Sequence, residues 1–377
     1  MQAYSLTKQE SVLLDAVRAL ASQLVVFGHG ISFFGVLGML HEPRFPWVQN
    51  IAVVVFFVLS GWIITYSTRL KCLDENYRYG HFLIDRTARI YCALLPALVF
   101  IFLIDTVSLR IDAKQYTHHA AFTVEALLAN ILMLQDIPAQ LLAWFAPNPP
   151  VLLTQTSFGS ARVLWTISIE WWIYIFFGLS YFVTVRSKRL NAGTAVALLV
   201  ASAIPLANLF DGRGNGLTLY WIYGLIACLV YPHYKARFRS PSTKITAFFL
   251  FVALCVHRQT VSINAYDHYF ALYLSICLLI ATDLAQHLPM PGALIRFMAG
   301  YSFTLYLVHY SILQLIHDHA VSWNGWTKLA VGFTASNLVA IGLARITEHS
   351  LTPLTRRWLN ARFYDRKGTP GRDLPPA

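Results

Sequence analysis

Arg18 and His29, eleven residues apart in the run LLDAVRALASQLVVFGHG, are of types that could do chemistry together. In a helix that spacing is three turns plus about 20°, so both side chains share one face, about 16 Å apart along the axis. One helix then carries a permanent cation toward one end and, toward the other, an imidazole that can take up or release a proton at neutral pH. Two readings stand. Arg18 is neutralised by Asp15 while His29 bonds a carbonyl, or an anion-holding arginine lies in line with a general base. Arg86 and Arg89 in DRTARIY are three apart and also share a face. They read either as an ordinary anchor at a helix end or as a grip for a polyanion such as a nucleotide phosphate. Glu170 sits among tryptophans and isoleucines in RVLWTISIEWWIYIFF. A carboxylate there must meet a cation in space or keep its proton. His309 in YSFTLYLVHYSI is either a hydrogen-bonded structural residue or a second catalyst, and Ser60–Gly61 in VVVFFVLSGWIITYS marks a close backbone approach.

The elements that must position these groups are membrane spans. Apolar residues make up 56% of the 377 and charged residues 12%, and mean hydropathy is +0.53. That leaves too little polar surface to coat a water-soluble fold of this size. Apolar runs fall at 12–31, 51–68, 90–108, 122–135, 163–184, 192–210, 217–231, 245–261, 268–285, 297–317 and 327–348. Most are long enough to cross roughly 30 Å of hydrocarbon as a helix. Basic clusters lie in 69–89, at Arg186/Lys188/Arg189, at Lys235/Arg237/Arg239/Lys244, and in the tail 355–377. The positive-inside rule gathers all four on the cytoplasmic side only if one run fails to cross. The shortest, 122–135, holds Glu125 and Asn130 and leads into the proline-rich 136–150. It is expected to be re-entrant or interfacial. The predicted fold is therefore all-α: one polytopic membrane domain over 1–377, about ten spans, both termini cytoplasmic, with 355–377 as a basic cytoplasmic tail.

The net charge of +11 is spread over short loops, where it sets topology and meets anionic headgroups, so nucleic acid is not expected as a partner. The five cysteines are scattered with no C-x-x-C spacing and predict neither a disulfide frame nor a metal site. His118–His119 and His317-Asp318-His319 lack the further ligands a metal needs. GRGNG at 212–216 misses the dinucleotide-binding pattern, since position 217 is leucine. The first apolar run holds Asp15 and Arg18 and is followed by no small-residue cleavage site, so no cleavable signal peptide is expected.

Taken in order, these segments resemble the acyltransferase-3 family of membrane O-acyltransferases. LDAVRALASQLVVFGHG looks like the family's opening, with its Arg-x10-His signature at Arg18 and His29. FFVLSGWII resembles the FFvlSGfli element at Ser60 and Gly61, and RTARIY resembles RxxRiyP at Arg86 and Arg89. LWTISIEWWIY places Glu170, and LYLVH places His309. The correspondence runs over 14–309. It departs at Cys92, where the family carries proline, with Pro96 four residues on. Nothing here resembles the SGNH-type esterase domain that some members append, so acyl delivery is expected to finish within the membrane domain or on another protein.

The resemblance implies an acyl-CoA-dependent O-acyltransferase in a membrane, most simply the bacterial inner membrane. It would carry no bound cofactor and would move an acyl group, usually acetyl, from cytoplasmic acyl-CoA. The acceptor would be a hydroxyl of a cell-surface glycan, a lipid-linked sugar or a small molecule. Arg86, Arg89 and Arg18 would then meet the polyanionic coenzyme, and His29 would take the acceptor proton. Glu170 would orient His29 or balance a buried arginine, with Asp15, Ser60, Gly61 and His309 in support. The rival reading from the same spans and buried charges is a transporter or flippase for a lipid-linked sugar or small solute. The chain shows no internal repeat of the kind such carriers commonly have.

Overall fold

The computed structural model describes residues 4–38, 47–143, 148–187, 190–210, 214, 216–261 and 266–364. Among them the secondary structure is entirely helical. The long helices are α1 (Lys8–Phe34), α2 (Val48–Lys71) and α3 (Tyr79–Ile111); after the short α4 (Val124–Ile131) and α5 (Ala139–Leu142) come α6 (Trp165–Tyr181), α7 (Ala192–Phe210), α8 (Leu217–Arg237), α9 (Pro241–Val261) and α10 (His268–Ala285). The chain then runs through α11 (Gly292–Gly300), α12 (Ser302–His319), α13 (Gly325–Ile346) and α14 (Thr352–Phe363).

Sequence chemistry sets where α1 begins and ends. The Thr7 side chain accepts from the Glu10 amide at 3.3 Å while Glu10 Oε2 accepts from the Thr7 amide at 2.7 Å. This reciprocal cap satisfies two donors that the first turn leaves open. The helix stops at Gly35, whose φ of 66° suits a residue without Cβ. Glu10 also reaches across the bundle, where Lys235 Nζ lies at 2.5 Å and the Tyr231 hydroxyl donates at 2.7 Å.

Eight helical segments are long and apolar enough to cross a membrane. They begin at Lys8, Val48, Tyr79, Arg162, Ala192, Pro241, His268 and Gly325. Two of the ten expected spans, α8 and α12, are not among them, although they have 21 and 18 residues. Much of each faces other helices: Tyr220, Tyr231, Leu305, Leu307, Val308 and His309 are all buried. A helix walled in by protein can carry polar residues that a lipid-facing one cannot. The apolar run 122–135 contains only the eight-residue α4. At 1.5 Å per residue such a helix falls well short of the roughly 30 Å hydrocarbon layer. Contacts collect the basic clusters at one end of the bundle. Arg186 donates to the Asp74 carbonyl at 2.6 Å, Lys235 pairs with Glu10, and Lys244 pairs with Asp283 at the end of α10.

Two boundaries differ from the sequence expectation. The third helix starts at Tyr79 rather than near 90, so Arg86 and Arg89 lie inside it and not at its mouth. The segment after the last span turns through Thr347–Leu351 into α14, which docks on the start of α3. Asp85 holds it there: Arg356 Nε at 2.9 Å on one oxygen, Lys71 Nζ at 2.8 Å and the Tyr77 hydroxyl at 2.9 Å on the other. Tyr364 stacks on His81 with centroids 3.8 Å apart. Cys92, which stands where the family resemblance expects proline, donates its thiol to Thr355 Oγ1 at 3.3 Å. Residues 365–377 of the expected tail lie outside the described residues.

The α2–α8 crossing is the tightest backbone approach near the site. A Cβ at Gly61 would strike the Trp221 carbonyl, and one at Gly224 would strike the Val58 carbonyl. Each glycine admits the other helix's backbone, as small residues do where membrane helices cross closely. Gly61→Ala is expected to cost at least the ~1–3 kcal/mol typical of overpacking. The check is a lowered thermal midpoint for the purified protein in detergent. An unchanged midpoint would mean the two helices can separate freely.

Candidate active site

The site grows from the sequence GHG in α1. A Cβ at Gly28 would lie 2.5 Å from the Gln49 amide nitrogen, and one at Gly30 would lie 2.5 Å from Leu329 Cδ1. The two glycines therefore let the start of α2 and the start of α13 close in on either side of His29. The imidazole between them lines a cavity of about 430 Å³, within the size range of small-ligand sites. Ser32, Gln49 and Asn50 supply hydroxyl and amide groups to this cavity, and Trp47, Trp165, Tyr266 and Tyr310 supply aromatic walls. Tyr306, also in the wall, is fixed by Thr166, whose Oγ1 lies 2.7 Å from its hydroxyl.

Behind His29 stands a second histidine. The rings of His29 and His309 are 5.4 Å apart, and the Tyr310 ring meets His29 edge-on at 5.0 Å. His309 is fully buried. Its Nδ1 lies 3.0 Å from the Leu305 carbonyl and 2.9 Å from that of Tyr306. Both are acceptors on its own helix, so Nδ1 carries the proton and Nε2 the lone pair. That Nε2 is buried with no hydrogen-bond partner among the described residues.

Glu170 belongs to a different cluster. Its carboxylate accepts from the Tyr174 hydroxyl and from Ser60 Oγ at 3.1 Å. Trp221 Nε1 donates to the same Ser60 oxygen at 3.2 Å. Ser60 is seven residues beyond the cavity-lining Val53, and Glu170 five beyond Trp165, so this cluster lies about 8–10 Å deeper along both helices. The bonds that orient Glu170 thus come from Tyr174 and Ser60. The alternative expectation, that Glu170 orients His29, is not what the geometry provides. Its cationic neighbours are Arg89 and Arg86, which is the balance a buried carboxylate needs.

The arginines form the far end. The Arg86 guanidinium lies over the Phe82 and Tyr174 rings, at 5.8 and 6.0 Å from their centroids. It is 9% exposed, and its Nε has no hydrogen-bond partner among the described residues. Arg89 Nη1 pairs with Glu348 Oε2 at 2.5 Å. Glu348 in turn accepts from the Thr304 amide at 3.0 Å and its hydroxyl at 2.8 Å. Arg18 bonds Asp15 at 2.7 Å and lies within electrostatic reach of Arg89 and Glu348. The structure so brings Arg18, Arg86, Arg89 and Glu170 toward one region. His29 and His309 come together in another, and Ser60 joins the Glu170 cluster. Among the described residues no three His, Cys, Asp or Glu side chains are grouped as metal ligands would be.

Sequence reasoning missed Arg162, Tyr306, Tyr310, Tyr174 and Glu348. Tyr306 lies three residues before His309 and four before Tyr310 on the same helix, a shared-face spacing that the sequence carries. Arg162 sits in a single-turn 3-10 segment before α6, and Glu348 in the turn after α13. Neither lies in a run whose period could have marked it.

Comparison with known proteins follows the same residues. The acyltransferase domain of the acyltransferase-3 family matches residues 12–345. An O-acetyl transferase of Shigella phage Sf6 is 22% identical over 367 residues, covering 95% of this chain and 97% of the relative. Protein 2 in the picA locus of Rhizobium radiobacter is 33% identical over 87 residues, 23% of this chain and 41% of its own length. No solved structure matches.

Proposed function

Because this chain belongs to the acyltransferase-3 family, we propose that it moves an acyl group, acetyl before longer ones, from acyl-CoA to a hydroxyl of a carbohydrate acceptor. The observation that carries this reading is the order of groups along the bundle. Arg86, Arg89 and Arg18 stand at the end where the basic clusters collect, and His29 opens on a cavity toward the other. An O-acetyl transferase related over nearly its whole length supports acetyl as the group.

Coenzyme A is a polyanion, and arginine's planar, permanently charged fork suits phosphate. Arg86, without an ion-pair partner among the described residues, has the charge to meet it. The acyl thioester then extends between the helices toward His29. The acceptor hydroxyl oxygen attacks the thioester carbonyl carbon as His29 takes the hydroxyl proton. The tetrahedral oxyanion collapses, the carbon–sulfur bond breaks, and the thiolate leaves with the electron pair. The imidazolium returns its proton to the thiolate, and ester and CoA-SH are the products. His309 holds a lone pair beside the His29 ring, an environment that favours the protonated imidazole formed in the middle of this sequence.

The same reading places the basic clusters and both termini on the cytoplasmic side of a bacterial inner membrane, with ten crossings and 122–135 dipping into or lying on the outer face. A reporter fused after residue 140 is expected to read outside. The deciding experiment incubates purified protein in nanodiscs with labelled acetyl-CoA and a carbohydrate acceptor. Label on the sugar is expected in equal amount to CoA thiol released. Neither product, together with solute flux in sealed vesicles, would make the chain a carrier instead.

A further inference from the structure

The cavity at His29 contains a charge that the transfer step does not use. Arg162 lines it, and the loop that bears Arg162 is firmly anchored. The Arg162 amide donates to the Ser160 carbonyl at 2.9 Å, and its carbonyl accepts from Ser157 Oγ at 3.3 Å. Ser157 Oγ also bonds Asp136 at 2.9 Å. The Ser160 amide donates to Asp105 on α3 at 2.8 Å, and its hydroxyl donates to Ser311 on α12 at 2.7 Å. The backbone is thus tied to two helices, while the guanidinium forms no ion pair or hydrogen bond with any described residue. Among the described residues that line the cavity there is no aspartate or glutamate. Arg162 also stands at the end of the bundle away from the basic clusters, where topology gives no reason for a cation.

An unpaired guanidinium on an anchored backbone, exposed at a recess with aromatic walls, concentrates anions there. Trp47, Trp165 and Tyr266 offer flat faces to a sugar ring, and Gln49, Asn50 and Ser32 offer partners for hydroxyls. Resting on the acyl-transfer reading above, we infer that the acceptor is an acidic carbohydrate. Its carboxylate or phosphate seats on Arg162 while a ring hydroxyl reaches His29. Arg162 is then a specificity residue that selects the acceptor and leaves the donor side untouched.

The test compares wild type, Arg162→Gln and Arg162→Lys in nanodiscs with labelled acetyl-CoA and three acceptors: methyl β-D-glucuronide, glucose 1-phosphate and methyl β-D-glucoside. Wild type is expected to use at least one anionic sugar about tenfold or more better in kcat/KM than the neutral glucoside, the scale of one charge-assisted hydrogen bond. Which anionic sugar wins tells carboxylate from phosphate. Arg162→Gln should erase the preference while leaving transfer to the glucoside and acceptor-free hydrolysis of acetyl-CoA unchanged. Arg162→Lys should keep part of it. Equal use of all three acceptors by wild type overturns the inference. So does an Arg162→Gln enzyme that keeps the preference or loses activity on every acceptor alike, and so does hydrolysis without transfer to either anionic sugar. Absence of both transfer and hydrolysis overturns the acyl-transfer reading itself, which keeps the two failures apart.

Discussion

His29→Gln is expected to cut acyl transfer by about 10²–10⁴-fold, the contribution of a positioned general base. The protein should stay folded and still hold acetyl-CoA. The amide side chain roughly keeps the imidazole's size but cannot accept the acceptor's proton. His29 is only partly buried and opens on the cavity, so little packing is lost. Measured together, kcat should collapse, the acetyl-CoA KM should hold, and the thermal midpoint should stay. His309→Gln makes the contrast. Its ring is fully buried against its own helix, so that substitution should lower both stability and rate, the rate by less than His29→Gln does. If His29→Gln transfers acetyl at the wild-type rate, His29 is not the base and the direction of the path has to be redrawn.

Much of this arrangement is legible in the sequence because it is local. The Arg18–His29 spacing, the Arg86–Arg89 pair and the Ser60–Gly61 step are all set by helix periodicity, and the structure keeps each on its helix. The Asp15–Arg18 pair read from i,i+3 spacing forms at 2.7 Å. This does not free Arg18 for a ligand, and Arg86 is the better candidate for an unpaired cation. What periodicity cannot give is which faces meet. His29 and His309 are 280 residues apart yet their rings lie 5.4 Å from one another. Glu170 finds Ser60 on another helix, and nothing in either segment names the other. Helix ends are the other weak point. Apolar runs mark the part of a helix that lipid must cover, so α3 was expected to begin at 90 when its polar first turns begin at Tyr79. Loop residues such as Arg162 carry no pattern at all, and only its place in the wall of the His29 cavity gives that arginine meaning.

Arg89→Ala is expected to do two separable kinds of damage. Glu348 is 4% exposed and pairs with Arg89 Nη1 at 2.5 Å. Removing the arginine strands a carboxylate that Thr304 alone must satisfy. Breaking one partner from a buried pair costs about 3–5 kcal/mol, and the lower end applies because Arg89 is 31% exposed. The thermal midpoint should fall accordingly. Arg89 is also one of the cations proposed to meet acyl-CoA, so the acetyl-CoA KM should rise about tenfold or more. The double substitution Arg89→Ala with Glu348→Gln separates these effects. A neutral amide in place of the stranded carboxylate keeps a carbonyl oxygen for the Thr304 donors and removes the uncompensated charge, so stability should return. Donor affinity should not return, because the missing cation is still missing. Recovery of both together would make Arg89 a structural ion-pair partner only, and the donor site would then rest on Arg86 alone.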